Sequence, residues 1–95
     1  MQFERDVVVV GGCGRVGLPL AIALAGVGLR VVAYDRNPAA VDAVGARKLP
    51  FDEPGAQDHL ETMLDAGRLE ASTAPECVST AEHVIVVVGT PIDEH

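Results

Sequence analysis

Ninety-five residues with a formal charge of −7 give room for one small domain, large enough for a core but short for a complete doubly wound fold. The acidic balance, with no Lys/Arg cluster set against it, argues against a nucleic-acid surface. Two cysteines without metal-ligand spacing argue against a disulfide framework and against a metal centre, and make a reduced, cytoplasmic chain the default.

After a short polar lead from Met1 to Asp6, the chain enters Val7 to Val10, an apolar β-branched run suited to a strand buried on both faces. That strand feeds directly into Gly12-Cys13-Gly14-Arg15-Val16-Gly17, a G-x-G-x-x-G turn. A helix beginning at about Arg15 and rich in Ala and Leu follows to Leu29, closed by Gly28. Val16 to Leu29 is too short to cross a bilayer and has no positively charged lead, so it reads as a buried helix under a parallel sheet. Arg30 to Tyr34 then forms a second strand, with Asp35 at its carboxyl end.

Strand, glycine turn, helix, strand and acid together point to a dinucleotide site. Gly12 allows a sharp turn off the strand, Gly14 has no Cβ to block a pyrophosphate, and Gly17 lets the helix pack closely. The helix start directs unpaired N–H groups and a positive dipole end at phosphate. Asp35 is placed to accept hydrogen bonds from the adenosine ribose hydroxyls and to repel a 2′-phosphate, which favours NAD over NADP. Arg36 pulls the other way, since a guanidinium there can stack on adenine or receive that phosphate. The plainer alternatives are a ligand-free tight turn for the glycines and a solvated strand end or helix cap for Asp35. Cys13, inside the turn, is either a thiol whose pKa is lowered near a helix N-terminus or a small buried packing residue.

Asn37 is a suitable N-cap and Pro38 a suitable first residue for a short helix to about Val44, with Val41 and Val44 inward and Gly45 ending it. Leu49 to Gly55, with two prolines among acids, predicts a rigid loop. A third helix is expected from Ala56 to Ala66, with Leu60, Met63 and Leu64 on its buried stripe and Gly67 as its stop. His59 beside Leu60 reads as a solvated helix residue, with a catalytic role as the alternative. Arg68 to Ser72 alternates as a short strand with Leu69 and Ala71 on one side. Thr73-Ala74-Pro75-Glu76 has the form of a capping box opening a brief helix to Thr80. Val84 to Val88 is a second β-branched run and reads as a buried parallel strand ending in Gly89-Thr90-Pro91.

The expected fold is therefore an α/β, Rossmann-like half-domain spanning residues 1–95, with a parallel sheet of strand order 3-2-1-4 and helices on both faces. The topological switch point falls between the first and last strands, so Thr90 should face the glycine turn and reach the cofactor; the alternative is a strand-ending Thr-Pro turn.

Gly12 to Ala21, Asp35-Arg36-Asn37, Glu53-Pro54-Gly55, Gly67-Arg68-Leu69 and Thr90-Pro91 together resemble the amino-terminal segment of the nucleotide-sugar dehydrogenases, the family of UDP-glucose and UDP-N-acetylmannosamine dehydrogenases. The resemblance implies NAD as cofactor, with Gly12, Gly14 and Gly17 at the pyrophosphate, Asp35 at the ribose, Thr90 near the cofactor and Arg36 flanking adenine. It also implies a Glu53 loop near the cofactor edge. The parent reaction that the resemblance implies is oxidation of a sugar C6 alcohol to a carboxylate in two hydride transfers. It implies further that the catalytic Cys and Lys and the UDP-sugar site lie beyond this chain. No residue here is then catalytic, and a UDP-sugar is a partner only of the intact enzyme. Arg15 departs from the family pattern, where an aromatic residue is common, as does Gly89, where Pro is common.

The competing reading is a stand-alone, non-catalytic nucleotide-binding or interaction module. In either case strand order 3-2-1-4 leaves the last strand as a sheet edge, and self-association through that edge is expected.

Overall fold

The computed structural model describes residues 3–88, and the Thr90 expectation lies outside them. Four strands, β1 (Arg5–Val10), β2 (Val31–Tyr34), β3 (Leu69–Ser72) and β4 (Ala81–Val86), form one parallel sheet in the order β3-β2-β1-β4. The expected strand order is observed. Central β1 pairs Val7 with Val31 on one edge and with His83 on the other. Val7, Val8 and Val9 are all buried, as a strand covered on both faces requires.

Three α-helices connect these strands: α1 (Gly17–Gly26), α2 (Pro38–Gly45) and α3 (Ala56–Asp65). Helix α1 buries Leu18, Ala21, Ile22 and Ala25, the i, i+3, i+4, i+7 stripe of a helix lying on a sheet. It starts at Gly17 rather than Arg15, because the N–H groups of Gly11 and Gly12 donate to Tyr34 O and the first α-helical bond from the turn is Leu18 N–H to Gly14 O at 3.0 Å. It ends at Gly26, where Gly28, with φ +101°, takes the chain into β2. Arg68 straps that end down: its guanidinium donates to Gly28 O at 2.8 Å while its own carbonyl accepts from Val31 N–H at 2.8 Å.

Asn37 caps α2 as expected, its side chain accepting from Ala39 N–H at 3.0 Å, and Val44 is fully buried. Helix α3 buries Leu60 completely, with Met63 and Leu64 packed against the same core, and Gly67 at φ +73° ends its turn. The capping box at Thr73 does not form. Ser72 Oγ accepts from Ala74 N–H at 2.9 Å first, Ala74 is the cap residue without a side-chain bond, and Pro75–Thr80 winds as a 3₁₀ helix.

All three α-helices join the core on the Val7, Val9, Val31 and Ala33 face. Val8 and Val32 on the opposite face are covered by Cys77 and Val78 of the 3₁₀ helix. The last strand differs from its expectation. It begins at Ala81 and is buried on one face only: Ile85 and Val87 pack into the core, while Val84 and Val86 are 45% and 61% exposed. As the sheet edge it has one neighbouring strand, and the 3₁₀ helix is too short to cover the far side of that edge.

Candidate functional site

The carboxyl ends of β1 and β4 lie side by side, with Val87 N–H donating to Val10 O at 2.9 Å. The crossover after β1 runs over one face of the sheet and the connection before β4 over the other, which is the switch point where a doubly wound sheet opens a crevice. The glycine turn stands at this point.

Each glycine there answers a different constraint. Gly11, not Gly12, carries the left-handed conformation of the turn, at φ +82°, and a Cβ on it would stand 2.8 Å from Val87 O. A Cβ on Gly12 would lie 2.6 Å from Val9 O and 2.7 Å from Ala33 Cα, so Gly12 lets the turn settle on β2. Gly17 packs against the backbone of Gly11 and Gly12, so it closes the helix onto the turn rather than onto the sheet. Gly14 is different: among the described residues the only atom near its would-be Cβ is Gly11 O at 3.6 Å. Among the described residues nothing needs Gly14 to lack a side chain, and the space beside it is open for a phosphate.

The turn's amides divide in the same way. Gly11 and Gly12 N–H both donate to Tyr34 O at 2.9 Å, and Cys13 N–H donates to Asp35 Oδ2 at 3.1 Å. Among the described residues, the N–H groups of Arg15, Val16 and Gly17 donate to no backbone carbonyl outside the helix. Arg15 and Val16 are exposed, and these three amides lead into the first turn of α1. They form the anion-receiving end of a helix, next to the open side of Gly14. The donors and the space fit a dinucleotide diphosphate. Asp35, at the end of β2, faces the same turn and retains unused lone pairs on both oxygens for ribose hydroxyls. Arg36 is exposed beside it. When bound, NAD would supply the hydride acceptor; Gly14, the amides from Arg15 to Gly17, and Asp35 are the groups positioned to hold it.

Cys13 is a packing residue. Its side chain is buried with Sγ 3.8 Å from Ala33 O, and burial, followed by the Asp35 charge, pushes the thiol up to about 12. The lowered pKa considered from sequence does not arise, because the thiol points under the turn toward β2 and away from the helix end.

Phe51 was not legible as part of this region. The Arg15 guanidinium lies 5.5 Å from its ring centroid, fixing the Leu49–Gly55 loop to the glycine turn. The loop is further held by Leu49 N–H donating to Gln57 Oε1 at 3.1 Å. Beyond it, a cleft of about 420 Å³ opens between α1 and α3, with Pro19, Ile22, Glu53, His59 and Met63 on its walls. Glu53 is thus on the rim of that cleft, on the helical face. The cleft has few convergent polar groups, whereas the glycine turn has several aimed at one point. No cluster of metal-ligating side chains occurs among the described residues, and no helix among them is long and apolar enough to cross a membrane.

A model of the UDP-glucose/GDP-mannose dehydrogenase family, NAD binding domain, matches residues 6–95. UDP-N-acetyl-D-mannosamine dehydrogenase of Campylobacter jejuni is 33% identical over 96 residues, covering 99% of this chain and 22% of that protein. UDP-glucose 6-dehydrogenase of Pseudomonas aeruginosa is 36% identical over 84 residues, covering 87% of this chain and 18% of that protein. The solved UDP-glucose dehydrogenase of Pyrobaculum islandicum superposes with a TM-score of 0.85 at 35% identity, covering 92% of this chain and 20% of that one. The chain therefore spans about a fifth of the length of the relatives it matches.

Proposed function

The chain belongs to the UDP-glucose/GDP-mannose dehydrogenase family, matching its NAD-binding domain, and on that footing we propose that residues 1–95 are the amino-terminal part of an NAD-binding fold. In this reading Gly12, Gly14 and Gly17 shape the diphosphate cradle. Arg15 and Val16 contribute amides, Cys13 packs beneath, Asp35 holds the adenosine ribose and Arg36 flanks the adenine. Thr90, outside the described residues, is assigned to the cofactor from its place in the sequence alone. The open side of Gly14 is the observation that carries the reading, since no neighbour among the described residues calls for a glycine there.

The proposal extends to the intact enzyme: Gly14, the amides from Arg15 to Gly17 and Asp35 would hold NAD, which would supply the hydride acceptor for oxidation of the C6 alcohol of a nucleotide sugar toward the carboxylate. We assign no catalytic residue to this chain. Its two free thiols suit a reducing, cytoplasmic setting. The exposed Val84 and Val86 on edge strand β4 support self-association of the isolated chain.

Calorimetric titration with NAD, NADP and UDP-glucose tests the cofactor assignment. Binding of NAD alone, lost in a Gly14→Val variant that keeps its circular dichroism, is the expected result. NAD affinity unchanged by that substitution would remove the diphosphate from the glycine turn.

A further inference from the structure

Three successive amides of the glycine turn are spent on the end of β2. Gly11 and Gly12 donate to Tyr34 O, and the series is completed by Cys13 donating to a side chain, Asp35 Oδ2, 22 residues away. The other oxygen of that carboxylate, Oδ1, accepts from Asn37 N–H at 3.0 Å, one residue before α2 begins. Asp35 N–H in turn donates to Ser72 O of β3 at 3.0 Å. A single carboxylate thus joins the glycine turn, the end of β2 and the entry to α2.

Resting on the cofactor assignment above, we propose that Asp35 is also the positioning residue of the phosphate cradle, so that the adenosine and diphosphate ends of the site are built by one side chain. The geometry accounts for this in two steps. The bond from Cys13 is the last one before Gly14, where the backbone leaves β2 and its following amides become free for an anion. Without that acceptor Cys13 N–H is left facing a part-buried space with no partner, and the cheapest relief is for the turn to rotate toward water. The cradle then loses its shape even for a ligand that makes no ribose contact. A carboxylate has about four lone-pair sites, and two are taken by the amides, so the remaining two can serve a vicinal diol while the brace stays in place.

The consequence concerns cofactor choice. Replacing an acid at the end of β2 by a small neutral residue is the direct way to admit a 2′-phosphate, and exposed Arg36 is at hand to receive one. Here that exchange also removes the brace. Asp35→Ala therefore weakens NAD and NADP together and does not convert one preference into the other.

Hydrogen exchange of individual amides by NMR tests the brace without any ligand. Asp35→Ala is expected to accelerate exchange at Cys13 by about tenfold or more, with the Val8 and Val9 amides of β1 unchanged. Should Asp35→Ala fail to fold, Asp35→Asn, of nearly the same shape, serves in its place. It keeps one acceptor oxygen for two amides and accelerates exchange at Cys13 or at Asn37. Calorimetry with NADP on the same variants forms the second arm. Cys13 exchange unchanged in folded Asp35→Ala, exchange at both Cys13 and Asn37 unchanged in Asp35→Asn, or NADP bound by Asp35→Ala as tightly as NAD is bound by the natural chain, overturns the proposal. If the natural chain binds no NAD, the cofactor assignment fails, and the exchange rates still decide whether Asp35 braces the turn.

Discussion

Gly17 rests on the peptide of Gly11 with no room for a side chain between them: a Cβ on Gly17 would stand 2.8 Å from the Gly11 carbonyl carbon and nearer still to its oxygen. Both contacts are backbone, so neither can swing aside. Gly17→Ala is expected to cost about 3 kcal/mol as the helix is forced off the turn. Gly14→Ala, with only Gly11 O at 3.6 Å, is expected to be neutral or stabilising by about 0.5 kcal/mol while lowering NAD affinity about tenfold. Urea unfolding and calorimetry on the two variants separate packing from binding. Equal loss of stability in both would contradict the division of roles among the glycines.

The Cys13 thiol predicts an alkaline weakness. Its folded-state pKa is raised from 9.0 to about 12, chiefly by burial, so the folded state favours the protonated thiol. The stability this contributes is complete below pH 9.0 and is lost as the pH rises toward about 12. Denaturant midpoints measured across that range should fall more steeply for the natural chain than for Cys13→Ala. At neutral pH a thiol reagent should label Cys77, which is partly exposed, well before Cys13. Parallel alkaline slopes in the two chains would show that Cys13 ionises without opposing the fold.

Acid acts at the other end of the sheet. Asp6 accepts from both the side chain and the backbone N–H of Arg30, and the side-chain bond is the larger cause holding its carboxyl below the usual 3.8. A depressed carboxylate stabilises the fold above its unfolded value, so this contribution is present above pH 3.8 and is lost as the pH falls through the folded-state value. Because the pair is exposed, salt should weaken it as well. Asp6→Asn is expected to flatten the acid limb of a thermal melting series and to reduce its salt dependence; an unchanged acid limb would assign it to other carboxylates.

Edge strand β4 offers Val84 and Val86 on a face that the 3₁₀ helix leaves open. Sedimentation of the isolated chain should show concentration-dependent association, and Val84→Lys with Val86→Lys should return it to monomer. A natural chain that sediments as a monomer throughout would show the edge to be protected.

What the sequence disclosed follows the range of the interactions. Asn37 as a cap, Leu60 and Val44 as inward residues, and the β1 valines depend on near neighbours and a simple period, and all were legible. The strand order followed from connection lengths and two apolar runs. The conformation of Gly11 was missed because two adjacent glycines could each have made the turn. The Thr73 capping box was a local pattern defeated by a local competitor, Ser72 Oγ. The one-sided burial of β4 depends on what packs across it, which no spacing encodes. Asp35 was read as a ribose acceptor from its position, but its bond to Cys13 crosses 22 residues and exists only once β1 and β2 are paired.

Strand β1 precedes the other described strands in the chain and lies inside the sheet, flanked by β2 and by β4. Val7 meets Val31 soon in the order of synthesis, but its other neighbour, His83, emerges much later. At roughly 5–20 residues per second, a ribosome leaves the second edge of β1 unpaired for some seconds after its first is closed. During that interval a strand of four consecutive valines is an open template for a foreign edge. The nascent chain is thus most exposed to mispairing while its best-buried strand awaits β4.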